Sequence, residues 1–185
     1  CYRDVPSDAV DIPDNVLVQV CIRGPWSDPV PELRRRNDEL IKAWNRKIKT
    51  GKVWLWNYMH DNNGHTPKGV PPVSTRLIAN YYGRLAPHIR GARSQGGNYY
   101  LLFNYLNNYV FYKVAWNTQT DVEALMRDHN EKLFGPAAGK MGVFFDRIED
   151  IWTKQALGEV RETALGPSPV AKTDEEGWSK IYTGG

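Results

Sequence analysis

Residues 16–22, VLVQVCI, form a nearly continuous apolar run rich in β-branched side chains. A strand with apolar residues at successive positions is covered on both faces, as in a parallel sheet. Ahead of it, residues 2–15 are polar, are punctuated by Pro6 and Pro13, and read as an extended lead-in. RGPWSDPVP follows as a loop of turn formers with Trp26 predicted to stand exposed at its centre. Over 31–49 the period becomes helical: Leu33, Leu40, Ile41, Trp44 and Ile48 share one face, the opposite face is charged, and Ser27 or Asp28 is the expected cap. Thr50-Gly51 stops this helix, and the strand VWLWNYM begins within three residues. Strand, helix and strand joined by short connections predict a βαβ unit with parallel strands.

A polar loop over 60–72 carries Gly64, Gly69 and three prolines. A second helix is expected from about 73 to 90, with Leu77, Ile78, Tyr81, Leu85 and Ile89 inward. Pro87 kinks or shortens it and Gly91 ends it. GARSQGG (91–97) fits either a third strand or a loop. From 97 onward the helical period persists. Tyr99, Phe103, Leu106, Val110, Phe111 and Val114 predict a helix buried on much of its surface over 97–115. Thr120 and Glu123 form a capping-box pattern opening a helix with Val122, Leu125, Met126, His129 and Leu133 inward. Gly135-Pro136 stops it, and a further helix over about 137–157 is expected to bury Ala138, Met141, Phe145, Ile148 and Trp152. Residues 158–177 read as a long surface connection, and a new element begins near Trp178.

The chain therefore divides into a βα part, residues 1–96, and a helical part, residues 97–185. Two or three parallel strands complete neither a barrel nor a good open sheet. With a first residue other than Met, this leads to the expectation that the chain is part of a longer polypeptide supplying further strands upstream.

Composition narrows the chemistry. The 185 residues include 41% hydrophobic side chains, ordinary for a folded domain, and no run approaches the length of a membrane span. Net charge is +3, and the basic run Arg34–Arg36 lies among Glu32, Asp38 and Glu39, so it reads as a solvated helix face rather than a nucleic-acid patch. Two cysteines, Cys1 and Cys21, are too few for a disulfide framework or a zinc site; a bridge between them is the minor alternative to a buried free Cys21. No phosphate-loop, dinucleotide, nucleophile-elbow or zincin motif is present, so no cofactor is expected. His60, Asp61 and His65 lack the spacing and the further ligands of a metal site, and DNNG has no Glu at the calcium-loop distance. His88 and His129 read as structural or surface residues. Seven Trp and ten Tyr are many for this length. Aromatic planes stack on the C–H faces of sugar rings while amides and carboxylates bond the hydroxyls.

In βα folds, function gathers in the loops after the carboxyl ends of the strands. Those positions hold Arg23, Trp26 and Asp28, then Asn57, Tyr58, His60 and Asp61, then Gln95 and Asn98. The candidate substrate-binding set is Trp26, Trp56, Asn57, Tyr58, His60 and Asp61. Asp28 reads first as a helix cap, Asp61 as a loop turn residue or a substrate ligand, and Trp54 as space-filling, with Trp54 and Trp56 alternating between helix layer and interior. No carboxylate pair suited to glycosidic cleavage is present in the segment.

The segments NVLVQVCIRG, AWNRKI, KVWLWNYM and WSKIYT, and the long helical stretch NYYLLFNYLNNYVFYKVAWNTQTDVEALMRDHNEKLFG, resemble the C-terminal part of the domain of unknown function 4838. The most specific piece runs from Lys113 to Gly135. That domain in turn is similar to glycoside hydrolase family 163. The resemblance covers almost the whole chain. It implies an α/β fold, the C-terminal portion of a (β/α)8 TIM-like barrel followed by a helical segment. It also implies endo-β-N-acetylglucosaminidase activity on N-glycans in secreted, periplasmic or cell-surface proteins. The catalytic acid would then lie upstream of Cys1, since Ser94-Gln95 brings no Glu to the last candidate strand. The expected partners are a glycan substrate and the rest of the same polypeptide. A non-catalytic carbohydrate-binding module and a helical interaction domain are the alternatives.

Overall fold

The computed structural model describes residues 4–60, 69–96, 101–157, 159–162, 167–181 and 183. Three strands, β1 (Gln19–Ile22), β2 (Val53–His60) and β3 (Ile89–Gly96), form a parallel sheet in the order β1-β2-β3. Helices α1 (Pro31–Lys47) and α2 (Thr75–Leu85) connect them. Next come α3 (Leu101–Trp116), α4 (Val122–Phe134) and α5 (Ala138–Ile151), which passes into a π-helical turn at Trp152–Ala156. Strands β4 (Glu159–Arg161) and β5 (Ser168–Val170) form a small antiparallel pair, followed by a short α6 (Asp174–Glu176) and a second π turn, Gly177–Ile181. The chain is thus a mixed helix–strand fold built on a small parallel sheet.

Pleating divides the sheet into two chemically different faces. Val20, Ile22, Val53, Leu55 and Asn57 point to one face and are buried. Ile41 and Trp44 of α1, Ile78, Tyr81 and Leu85 of α2, and Val110, Phe111 and Val114 of α3 pack on this face in one core. On the other face the register aligns Gln19 with Trp54, then Cys21 with Trp56 and Arg93. Trp54, Trp56 and Tyr58 belong to neither hydrophobic core and stay half-buried. Trp54 and Trp56, two residues apart, therefore share one face instead of alternating as expected.

Asn45 joins the strand starts, accepting from the Val53 amide at 3.0 Å and donating to the His88 carbonyl at 2.7 Å. Gly91 does not end α2, as the sequence suggested, but lies inside β3. Pro87 has already closed the helix in a 3-10 turn over Ala86–His88. Trp54 explains this glycine: a Cβ at residue 91 would stand 2.5 Å from the indole. Gly91→Ala is accordingly expected to cost about 1–3 kcal/mol, read as a lower urea midpoint with an unchanged slope.

Other boundaries differ for local reasons. β1 starts at Gln19, because Val16 is drawn into a turn with Pro13 and Leu17 is 59% exposed. α1 is preceded by Val30 and has no side-chain cap, so neither Ser27 nor Asp28 caps it. Thr120 returns its hydroxyl to the Asn117 carbonyl (2.6 Å), which leaves Asp121 to cap α4 through the Ala124 amide. Leu133 is exposed, as are Tyr112 and Trp116 on α3. Residues 158–177 are not only surface connection: Val170 and Ala171 are buried, and Thr173 with Glu176 forms a capping box.

A second core holds Trp26, Val70, Trp152, Ala156, Leu157 and Ala171, with Leu77 and Ile181 against it. It joins the loop after β1, the end of the loop after β2 and the C-terminal segment. The helical part is thereby anchored at the carboxyl ends of the strands.

Candidate functional site

The carboxyl ends of β1–β3 are the chemically richest part of the molecule. Tyr58 lies near the end of β2, with its ring 6.4 Å from that of Trp56 in a stacked arrangement. Its hydroxyl is 3.4 Å from the Cys21 thiol, which carries no disulfide. Exposed Arg93 lays its guanidinium over the Trp56 ring, 4.6 Å from the centroid. The face opposite α1 and α2 therefore presents an Arg–Trp–Tyr cluster flanked by a thiol. The sequence reading missed Arg93, because strand and loop were not separable over GARSQGG.

Trp26 is corrected. It is buried, not exposed, with its indole N–H donating to Ser74 Oγ at 3.2 Å and its ring 5.2 Å from that of Trp152. Pro25 and Trp26 lie in a 3-10 turn that brings the indole into the second core. It holds the loop after β1 and offers no open platform for a sugar. Asn57 is corrected too. Its side chain points to the helix face, accepting from the Tyr82 hydroxyl at 2.6 Å and donating to the Ile22 carbonyl at 3.3 Å. Gly24, at φ +80°, leaves room for it: a Cβ there would lie 2.7 Å from that of Asn57. Burial raises both the Tyr81 and Tyr82 phenols, so this network is neutral.

His60 closes β2 in register with Gly96, and Gln95 lies in β3. Asp61 and the rest of the DNNG segment, His65, Asn98 and Cys1 lie outside the described residues. Asp28 serves neither as a helix cap nor as an acid of the site; it pairs with Arg84 at 2.5 Å, and Arg84 also holds Asp38. Among the described residues, no group of three or more His, Cys, Asp or Glu side chains is arranged to hold a metal. No described helix is long and apolar enough to cross a membrane.

The described end of the loop returning from β2, residues 69–74, and the first turn of α2 are held by four side chains. Asn107 of α3 accepts from the Ser74 amide and donates to the Pro72 carbonyl at 2.6 Å. Trp26 occupies the Ser74 hydroxyl. The Trp178 ring lies close over Gly69, where φ is +80°. Glu149 of α5 reaches the first turn of α2, accepting from Thr75 Oγ1 (2.7 Å), the Arg76 amide (2.8 Å) and the Arg76 guanidinium (2.9 Å). Ser74 makes no cap of its own, so Glu149 supplies one from a distant helix. Burial outweighs these donors and holds the Glu149 carboxyl above its ordinary range. The sequence signals for these contacts were polar residues in otherwise apolar helix faces, Asn107 above all.

Among known proteins, no curated protein and no solved structure matches the chain. Residues 1–145 match the family described as a domain of unknown function, DUF4838. The match takes in the parallel sheet, its three packing helices and most of the helices that follow. The chain belongs to the DUF4838 family.

Proposed function

We propose that this chain forms the substrate-binding wall of a glycoside hydrolase acting on N-acetylglucosamine-containing glycans, as the resemblance to glycoside hydrolase family 163 implies. The observation that carries the reading is the Trp56–Tyr58 pair. Two stacked, half-buried aromatic rings stand outside both cores, on the face of a parallel sheet opposite α1 and α2 and toward its carboxyl end. Such rings match the apolar faces of pyranose sugars. Arg93 over Trp56 is no obstacle, since an exposed cation–π contact is worth only about 0.5–1 kcal/mol and a sugar displaces it readily. Further strands of a (β/α)8 barrel would pair with the edges of β1 and β3 and enclose this face. They would also bring the general acid that the described strands lack. Tyr58, with its hydroxyl at the β2 end, is the group suited to orient an acetamide; Asn57, turned to the helices, is not.

A non-catalytic carbohydrate-binding module is the second reading. It is favoured by one observation: the described side chains of the sheet face opposite α1 and α2, from Gln19 to Arg93, include no carboxylate.

In the full-length protein, Tyr58→Phe and Asp61→Asn are each expected to lower turnover of an N-glycan by about tenfold or more. Trp56→Ala is expected to act mainly on KM. Unchanged kinetics in both Tyr58→Phe and Asp61→Asn would sink the assignment. Binding without any turnover in the wild type would favour the non-catalytic module.

A further inference from the structure

Arg93 brings a full positive charge to the sheet face opposite α1 and α2, where Gln19, Cys21, Trp54, Trp56 and Tyr58 are uncharged. It stands in register with Trp56 and holds its guanidinium over that indole, 4.6 Å from the ring centroid. A cation–π contact is made through the charge and leaves the N–H donors unspent. Other arginines of the chain do spend theirs. Arg35 holds Glu32 and Glu39, Arg76 holds Glu123, Asp146 and Glu149, and Arg84 holds Asp28 and Asp38. Among the described residues, no carboxylate pairs with Arg93.

We infer that Arg93 makes the Trp56–Tyr58 face selective for a glycan that carries an acidic sugar, one bearing a carboxylate. This rests on the proposal that the face holds a glycan. The ring that Arg93 covers is the ring on which a sugar stacks, so a bound sugar comes to lie beside the guanidinium. A neutral sugar displaces the cation–π contact and offers only hydroxyl oxygens in return. A carboxylate accepts two parallel, charge-assisted N–H bonds from the planar fork. Enclosure sharpens the difference. Once further strands close around this face, a guanidinium with no counter-charge becomes costly. The neighbouring side chains in β1 and β2 supply none, whereas an acidic sugar does. Trp56 and Arg93, side by side in one layer of the sheet, then recognise the apolar face and the charged edge of the same sugar.

The test is a calorimetric titration of the full-length protein with a disaccharide of glucuronate and N-acetylglucosamine. Its carboxyl-reduced counterpart, with glucose in place of glucuronate, is the neutral control, and the same neutral disaccharide bearing a 6-sulfate is the control for any anion. Wild type, Arg93→Gln, Arg93→Lys and Trp56→Ala are compared, each with its urea midpoint. The wild type is expected to bind the glucuronate sugar at least tenfold tighter than the neutral one and tighter than the sulfated one. Arg93→Gln is expected to bring the acidic and neutral sugars within twofold of each other. Arg93→Lys, which keeps the charge without the fork, retains only part of the preference. Trp56→Ala weakens both sugars. Equal affinity of the wild type for the acidic and neutral sugars overturns the inference, and the aromatic face stands if Trp56→Ala still weakens both. A stronger preference for sulfate, or a carboxylate preference that survives Arg93→Gln, overturns it too. A lower urea midpoint in Arg93→Gln, with both affinities reduced by the same factor, would mean that Arg93 pairs with a carboxylate of a further strand, and the inference falls. Absence of binding by the wild type to any of the three overturns it together with the proposal for the face.

Discussion

Asn57→Leu is expected to destabilise the protein by about 3–5 kcal/mol, enough to unfold a marginal domain. Leu approximates the shape of Asn and leaves little cavity, so the loss is one of hydrogen bonding. Asn57 is fully buried. Without its amide, the Tyr82 hydroxyl loses an acceptor at 2.6 Å, and the Ile22 carbonyl and the Tyr81 hydroxyl lose a donor, all three away from water. Asn57→Asp is expected to cost at least as much, because a carboxylate would then face the Ile22 carbonyl. Tyr82→Phe removes one partner and is expected to cost about 1 kcal/mol. Urea unfolding measures all three. Equal midpoints for wild type and Asn57→Leu would mean that the network does not hold β2 against α2. Because Asn57 lies between Trp56 and Tyr58 in the strand, its loss would also loosen the aromatic face.

Glu149→Ala is the second large effect, expected near 3–5 kcal/mol. Its carboxylate is 6% exposed and ties α5 to the start of α2 through three donors. Removing it leaves Thr75, the Arg76 amide and part of the Arg76 charge without their partner. Arg76 keeps Glu123 and Asp146, which limits the loss on its side. The pH dependence follows from the raised Glu149 carboxyl, whose ordinary value is 4.5. Above that value the unfolded chain has shed the proton while the native chain still holds it. Stability therefore falls as pH rises through the window up to the raised native value, and is level beyond it. Glu149→Gln removes this slope. Its deficit relative to wild type is expected to be larger below about pH 4.5 than near pH 8. A deficit that grows with rising pH would show that the carboxylate is favoured by its site.

The elements whose burial follows from local pattern were readable in the chain. α1 shows its apolar stripe and its stop signal, and β2 its run of aromatic and β-branched residues; both were placed almost to the residue. β3 was not distinguishable from a loop. After Ile89 its residues are small or polar, and it is a strand because β2 pairs with it and Gly91 admits the Trp54 ring. The candidate site was legible in position and less so in direction. Trp56 and Tyr58 emerge on the face opposite the helices, while Asn57 between them points the other way, as the period of two requires. Trp26 was read as exposed from the turn formers around it. What buries it is Trp152, far along the chain, and no local signal announces that contact. Glu149 escaped notice for the same reason, since a carboxylate on a helix reads as solvated until the helix start it caps is brought beside it.

The central claim is that the Trp56–Tyr58 face holds a glycan. It is tested most directly by titrating the full-length protein, wild type and Trp56→Ala, with the β-1,4-linked N-acetylglucosamine disaccharide of the N-glycan core and following tryptophan fluorescence. The claim predicts a saturable change in the wild type and affinity at least tenfold weaker in a Trp56→Ala protein that unfolds at the same urea concentration. Equal affinity in the two proteins, or no binding by the wild type, would contradict it.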